Sequence, residues 1–440
     1  MKDNTINNKI DSIIHKYRIL FSILIVIITF LFVWFRADPG YQIDSESLVV
    51  GPVMLQINDQ PIVSNPFGMG TIVDKTNHEL VLYTDYLKND PGMSLFQENY
   101  DYLIYGSSIG LQGFVFRGIS CIFKTINVIY LYRLLCCFLL IVTLYFVAIL
   151  LKRRYGYLFA TTFWLTIFIS PYLINFSPNL FWVSFTWFIP LLLSLFCINY
   201  EDKRKWIYPF YFIAIAVKCM CGYEFLSTVM FSGIVFLLAE WFICKEKRKD
   251  LIKCIFISGL CMFIGFIAVA VLHIYLMGNQ YCDGSFVDGM TYFRSYLIER
   301  RTFGNAESYS SPILAASLNA TIPDVIYRYF WEFAYGRIML FLLITSLVAI
   351  FIDRYIFKKD FRFRLATIVL QTLSVLSWLV LAKAHSYIHT HMNFVLFEMG
   401  FSAACIYALL RTVLNHISII AEKADSESPS KYSYHFRFKK

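Results

Sequence analysis

The sequence predicts an all-α integral membrane protein of about ten transmembrane helices, with two large extracytoplasmic loops that carry short interfacial helices. Three observations predict it. Of the 440 residues 58% are hydrophobic and only 16% charged, where soluble globular chains are about a quarter charged, so a water-soluble enzyme is excluded. Apolar runs long enough to cross a bilayer, about 20 residues each, recur along the chain. Every second connection between those runs is basic, the pattern of a multi-pass protein whose basic loops stay in the cytoplasm.

The runs lie at about 18–36, 130–151, 156–174, 180–199, 206–221, 225–244, 252–277, 337–356, 364–382 and 393–414. The first follows seventeen polar residues, spans fully and lacks a small-residue cleavage site, so it is read as an anchor and not a removed signal. Lys9, Lys16 and Arg18 precede it. The second ends in Lys152-Arg153-Arg154, the fourth in Lys203-Arg204-Lys205, and the sixth in the Lys245–Lys249 cluster. The eighth ends in Lys358-Lys359, and the tail closes on Arg437 to Lys440. Residues 1–17 and the tail 415–440 are therefore expected in the cytoplasm, flanking a polytopic domain over 18–414. A plasma membrane is the expected location, with the active face outward. The net charge of +9 belongs to these clusters and not to a nucleic-acid site.

The opposite side then receives loops at about 37–128 and 278–336, far longer than ordinary connections and so expected to be functional. Within them Gly110–Phe123 suits a helix along the membrane surface, and Tyr292–Arg301 and Ile322–Tyr335 suit two short helices. The 11 Cys lie mostly in apolar runs, with Cys282, Cys219 and Cys221 nearest the outside; no C-x-x-C occurs, and neither a disulfide framework nor a zinc site is expected.

Five places on the outer side carry chemistry. Asp44 and Glu46, in YQIDSES beyond the first span, supply carboxylates for a general base or for a divalent cation (Mg or Mn), although solvated loop acids would look the same. Lys383, His385 and His389 run off the ninth span in KAHSYIHTH, where three of eight His fall within seven residues. A snorkelling Lys with interfacial His is the plain reading; an anion site that neutralises a phosphate is the sharper one. Lys218 and Glu224, in KCMCGYE, either pair structurally or line a cleft. Asn179, in the FSPNLFW turn, either serves turn chemistry or lines the same cleft. Arg300 and Arg301 put cations in an outer loop where topology asks for none, and the planar guanidinium is a natural reader of phosphate. His273, alone on an apolar span, reads as a packing residue. Carboxylates and cations on one face of the membrane suit an anionic, lipid-linked substrate.

The chain resembles the polytopic type-C (GT-C fold) glycosyltransferases, which take a sugar from a polyprenyl-phosphate carrier on the outer face of the membrane. The resemblance rests on the acidic Asp44-Ser45-Glu46 early in a long first outer loop, on Tyr105–Phe116 (YGSSIGLQGFVF, which contains Gln112), on SPNLFW and on KAHSYIHTH. It looks most like bacterial members with similar G-L-Q-G and K-x-H-S patterns. The resemblance implies an inverting transfer from a polyprenyl-phosphate-linked sugar to a glycan or lipid-linked acceptor. Asp44 or Glu46 would act as base, and Lys383, His385 and Arg300 or Arg301 would receive the leaving phosphate. A peptide-asparagine acceptor is not expected, since no large soluble domain follows the last span.

Two rivals stand beside it, one of the same broad chemistry and one of a different class. A polymerase of lipid-linked repeat units would also place Arg in outer loops, and a flippase or exporter of lipid-linked glycans would place charges midway through several spans. The early acidic motif, and polar residues gathered at outer ends, favour the transferase.

Overall fold

The computed structural model of the chain describes residues 2–59, 65–75 and 100–427. It is predominantly helical. α1 (Lys2–Arg36) leaves Ile19, Phe21, Ile23 and Leu24 exposed along its apolar stretch, as lipid-facing side chains would be. The chain then turns sharply: the Asp38 N–H donates to Asn175 Oδ1 at 2.9 Å, and the Gly40 N–H returns to Asp38 Oδ1 at 2.8 Å. Gln42, in the left-handed region at φ 55°, starts α2 (Ile43–Ile57), whose Leu48–Leu55 stretch is largely buried.

The start of the first long loop is thus part of the core. The loop also contains a two-stranded antiparallel hairpin, β1 (Gly70–Asp74) on β2 (Tyr100–Ile104), with Gly70 opposite Ile104. This amends the all-α expectation. The surface helix read into Gly110–Phe123 is α3 (Leu111–Ser120), and the G-L-Q-G signature has a steric cause. Gly110 opens α3 at φ 79°, and a Cβ on Gly113 would meet the Gly68 carbonyl oxygen at 2.0 Å, so only glycine admits this approach.

The bundle follows: α4 (Asn127–Tyr155), α5 (Tyr157–Ile169), α6 (Pro171–Phe176), α7 (Phe185–Asn199), α8 (Arg204–Cys221), α9 (Leu226–Ile243) and α10 (Arg248–Tyr281). The second long loop holds α11 (Phe286–Phe293), continued by a π-helical turn (Arg294–Ile298) and a 3-10 turn (Glu299–Arg301) as the short helix expected near Tyr292–Arg301, then α12 (Pro312–Asn319) and α13 (Ile322–Tyr327). α14 (Ala334–Tyr355), α15 (Arg362–Leu381), the short α16 (Lys383–Ile388) and α17 (Thr390–Asn393), and α18 (Phe401–Glu427) complete the chain. α10 packs along α8, α9 between α7 and α15, and α14 against α18. Among the described residues seven helices are long and apolar enough to cross a bilayer: the apolar part of α1, then α4, α9, α10, α14, α15 and α18. The other three predicted runs fall on α5–α6, α7 and α8. The 13 residues of α5 rise only about 20 Å, short of a membrane core of about 30 Å.

The basic connections meet at one end of the bundle. Arg154 forks onto Glu240 at 2.9 and 2.7 Å, Arg153 Nη1 donates to the Tyr200 hydroxyl at 2.8 Å, and Lys247 reaches Glu201 at 2.8 Å. Arg204 pairs with Asp250 and Arg364 with Asp353, and the Tyr155 ring stacks on Phe363 with centroids 4.3 Å apart. The closing residues 437–440 lie outside the described residues. Cys219 and Cys221, expected near the outside, are buried, where α3 packs against the end of α8 and Gln112 reaches the Cys221 carbonyl; Cys282 is half-buried.

Candidate functional site

At the end of the bundle away from those basic connections, a cleft of about 690 Å³ opens between the start of α2, the Arg294–Arg301 turn, α12 and the α16–α17 segment. That volume suits a small-molecule ligand. Six of the residues singled out in the sequence line it: Asp44, Glu224, Arg300, Arg301, His385 and His389. Gln42, Tyr105, Trp182 and His391 stand beside them. The other five lie beneath the cleft or behind its walls and hold it in shape.

Asp44 sits in the first turn of α2, exposed, and among the described residues its carboxylate has no hydrogen bond or ion pair. Glu46 is two residues on, about 200° around the helix, and so points the other way. It is fully buried: Oε1 accepts the Leu180 N–H at 3.1 Å and lies 3.3 Å from Arg133 Nε. Burial pushes its carboxyl up to about 7, with Arg133 and the Leu180 N–H pulling back. Glu46, a candidate base on sequence grounds, does not line the cleft.

The turn that aims Asp44 is held by Asn179. Its Nδ2 donates to the carbonyls of Tyr41 and Gln42 at 3.1 and 3.3 Å, and its Oδ1 accepts the Phe181 N–H at 3.0 Å. Gln112 works in the same manner: Nε2 donates to the carbonyls of Phe181 and Cys221, each at 3.0 Å, tying α3 to the α7 and α8 ends. Lys218 Nζ donates to the Gly222 carbonyl at 2.6 Å and closes the end of α8. These three buried polar side chains support backbone, and none of them lines the cleft.

Lys383 is buried too. Its Nζ donates to the carbonyls of Leu318 and Ala320 at 2.6 and 2.5 Å, satisfying the end of α12, so its charge is directed away from the cleft. α12 starts at Ser311, whose hydroxyl accepts the Leu314 N–H and is followed by Pro312 at the first helical position; Ile313 and Leu314 then form an apolar wall.

The histidines line up along the cleft, with ring centroids of His385 and His389 4.5 Å apart and of His389 and His391 6.2 Å apart. Burial drives His385 well below its ordinary value and His389 down to about 4, and it lowers His391; Asp44 opposes the shift at the last two. All three rings are therefore neutral at pH 7. They offer N–H donors but not the positive charge expected of a Lys/His anion site. The cations are Arg300 and Arg301. Arg301 Nη2 is 3.1 Å from Glu224 Oε1, and both residues are buried. Arg300 stacks over the Tyr296 ring at 4.7 Å and has no ion pair among the described residues. Tyr105, raised to about 12 chiefly by burial, keeps its hydroxyl proton.

His273 is a satisfied packing residue: its Nε2 donates to the Gly106 carbonyl at 3.0 Å, leaving Nδ1 to accept from the Tyr223 hydroxyl at 3.1 Å. Among the described residues no three His, Cys, Asp or Glu side chains converge as a metal site. The sequence reading passed over Gln42, Ser311 and the apolar wall of α12. Only the Ser-Pro helix start could have marked the last of these. Comparisons with protein-family models, with curated proteins and with solved structures return no match.

Proposed function

We propose that this chain is a multi-pass membrane glycosyltransferase that moves a sugar from a polyprenyl-phosphate carrier to a glycan or lipid-linked acceptor, with inversion, in the manner of the type-C enzymes it resembles. In this reading α5–α6, α7 and α8 complete ten crossings. Both termini are cytoplasmic, and the cleft opens on the outer face of a bacterial plasma membrane. One observation carries the reading: Asp44, a carboxylate with no hydrogen bond or ion pair among the described residues, shares a single cleft with the Arg300 guanidinium and a row of neutral imidazoles.

Asp44 accepts the proton of the acceptor hydroxyl as its oxygen attacks the anomeric carbon. The bond from that carbon to the phosphate oxygen breaks, and the electron pair leaves with the polyprenyl phosphate. The charge that develops there meets Arg300 and the N–H groups of His385 and His389, in place before the reaction begins. The apolar wall of Ile313 and Leu314 suits the first isoprene units.

The test is transfer by purified protein in lipid nanodiscs, supplied with radiolabelled polyprenyl-phosphate sugars and a membrane acceptor fraction. Asp44→Asn is expected to lower transfer by about 10²–10⁴, the usual contribution of a general base, while Glu46→Gln retains it. Transfer indifferent to Asp44, or confined to diphosphate-linked saccharides, overturns the proposal and favours a polymerase.

A further inference from the structure

Resting on that reading, we infer that the Glu224–Arg301 pair, with Trp182, forms a subsite for the ring of an uncharged sugar. The three side chains line the deep part of the cleft and are themselves 5, 8 and 5% exposed. They are not fully used. Glu224 Oε1 is taken by Arg301, but Oε2 has no partner among the described residues. It lies over Gly222, where a Cβ would stand 2.4 Å from it, so glycine is what leaves this oxygen room. Arg301 Nε and Trp182 Nε1 are buried donors without hydrogen-bond partners among the described residues. Buried polar atoms in a native fold are nearly always satisfied, and an unsatisfied set along a cleft points to a ligand that satisfies it.

The chemistry of the set is specific. A free carboxylate oxygen accepts from a hydroxyl, while a guanidinium N–H and an indole N–H donate to hydroxyl oxygens. Neighbouring hydroxyls on a sugar ring both donate and accept and can meet all three. Trp182 is held for this role by stacking on Phe225, with centroids 5.6 Å apart and ring planes 13° apart.

Charge balance sets the class of sugar. The cleft holds two carboxylates, Asp44 and Glu224, and two guanidiniums, Arg300 and Arg301, and its imidazoles are neutral. Glu224 neutralises Arg301, and the donor phosphate takes Arg300. Among the described residues of the lining no cation is left for a second anion, and a uronate carboxylate would be driven against Glu224 Oε2. The transferred sugar is therefore uncharged.

The experiment measures binding and needs no turnover. Wild-type protein in nanodiscs is titrated with farnesyl phosphate, with farnesyl-phosphoryl esters of neutral hexoses and pentoses, and with the farnesyl-phosphoryl hexuronates. At least one neutral ester is expected to bind about tenfold more tightly than farnesyl phosphate, the gain from about one net hydrogen bond to a charged group, with every uronate weaker than its neutral counterpart. Glu224→Gln, which keeps an oxygen for Arg301, is expected to bring that tenfold ratio close to one while farnesyl phosphate still binds. That retained binding also shows that the variant is folded. A uronate bound as tightly as its neutral counterpart, or a ratio unmoved in Glu224→Gln, overturns the subsite and leaves the transferase reading standing. Failure of wild type to bind farnesyl phosphate at all overturns both.

Discussion

Replacing Glu46 decides which of two opposing forces governs the acid beneath the cleft. Its carboxyl is fully buried, which disfavours ionisation, and it is 3.3 Å from Arg133 Nε, which favours it. Burial wins, raising the group from 4.5 to about 7. The unfolded chain then releases this proton at a lower pH than the folded one. The associated stability is fully present below about pH 4.5 and is lost as pH rises through about 7. At about 1.36 kcal/mol per pH unit the loss totals roughly 3 kcal/mol. Glu46→Gln abolishes the titration and keeps an oxygen for the Leu180 N–H, so its stability should equal that of wild type near pH 4.5 and exceed it by up to that amount above pH 8. Glu46→Ala strands the N–H and should lose about 1–3 kcal/mol at every pH. Chemical unfolding in detergent, followed by tryptophan fluorescence from pH 4.5 to 8.5, measures the difference between wild type and Glu46→Gln and so cancels every other titrating group. A difference flat with pH, or wild type gaining on the Gln variant as pH rises, would show that the Arg133 ion pair dominates and would refute the reasoning.

Three further outcomes are expected. Asn179→Ala removes the two bonds that fix the Tyr41–Gln42 turn and should displace Asp44; a shift of about 1 Å can cost about 10²-fold in rate, read as a fall in transfer with unchanged farnesyl phosphate binding. Lys383→Met strands the Leu318 and Ala320 carbonyls and should loosen α12, at about 1–3 kcal/mol, seen as new proteolytic cleavage at 302–321; Lys383→Gln, which retains an amide donor, should restore part of the protection. His389 is held down to about 4, so its stability contribution is present above about pH 6.5 and is lost as pH falls through about 4. Acid unfolding of His389→Gln, followed by tryptophan fluorescence, should accordingly be shallower over that window.

The sequence made the composition of the cleft partly legible, and its geometry hardly at all. Ionisable groups near the ends of apolar runs stand out, because each is costly there and must be solvated, paired or used. Which of those fates each meets depends on partners distant in sequence. Lys383 and Arg300 look alike as isolated cations, but one is consumed by carbonyls more than sixty residues away and the other is left open. Asp44 and Glu46 read as one motif while their segment is taken for a loop. Gly51 and Pro52 interrupt the following apolar stretch and hide the helix. Once Ile43–Ile57 is helical, a spacing of two residues places the acids on different faces, and only one can serve the cleft. The hairpin was illegible for a different reason: Gly70–Asp74 and Tyr100–Ile104 are five-residue strands whose partners are fixed by packing under α2 and not by local alternation.

Backbone strain marks the same place independently of any charged residue. Among the described residues six other than glycine have positive φ. Three of them, Asp59, Asp283 and Lys358, are exposed turn residues, where the penalty is small or readily borne. The other three are Gln42 at 55°, Val183 at 37° and Phe225 at 62°, side chains poorly suited to that region. Gln42 lines the cleft two residues before Asp44, and Phe225 follows Glu224 and stacks on Trp182. Val183 follows Trp182 directly. Conformations that cost about 1–3 kcal/mol each persist only where surrounding contacts enforce them, and they gather at working sites. The enforcing contacts here are those of Asn179 and of the aromatic packing of Trp182, Trp187 and Phe225. Relieving the strain, as with Gln42→Gly, should therefore raise stability or leave it unchanged while lowering transfer. A loss of stability would mean that the turn is held by the Gln42 side chain and not by its neighbours.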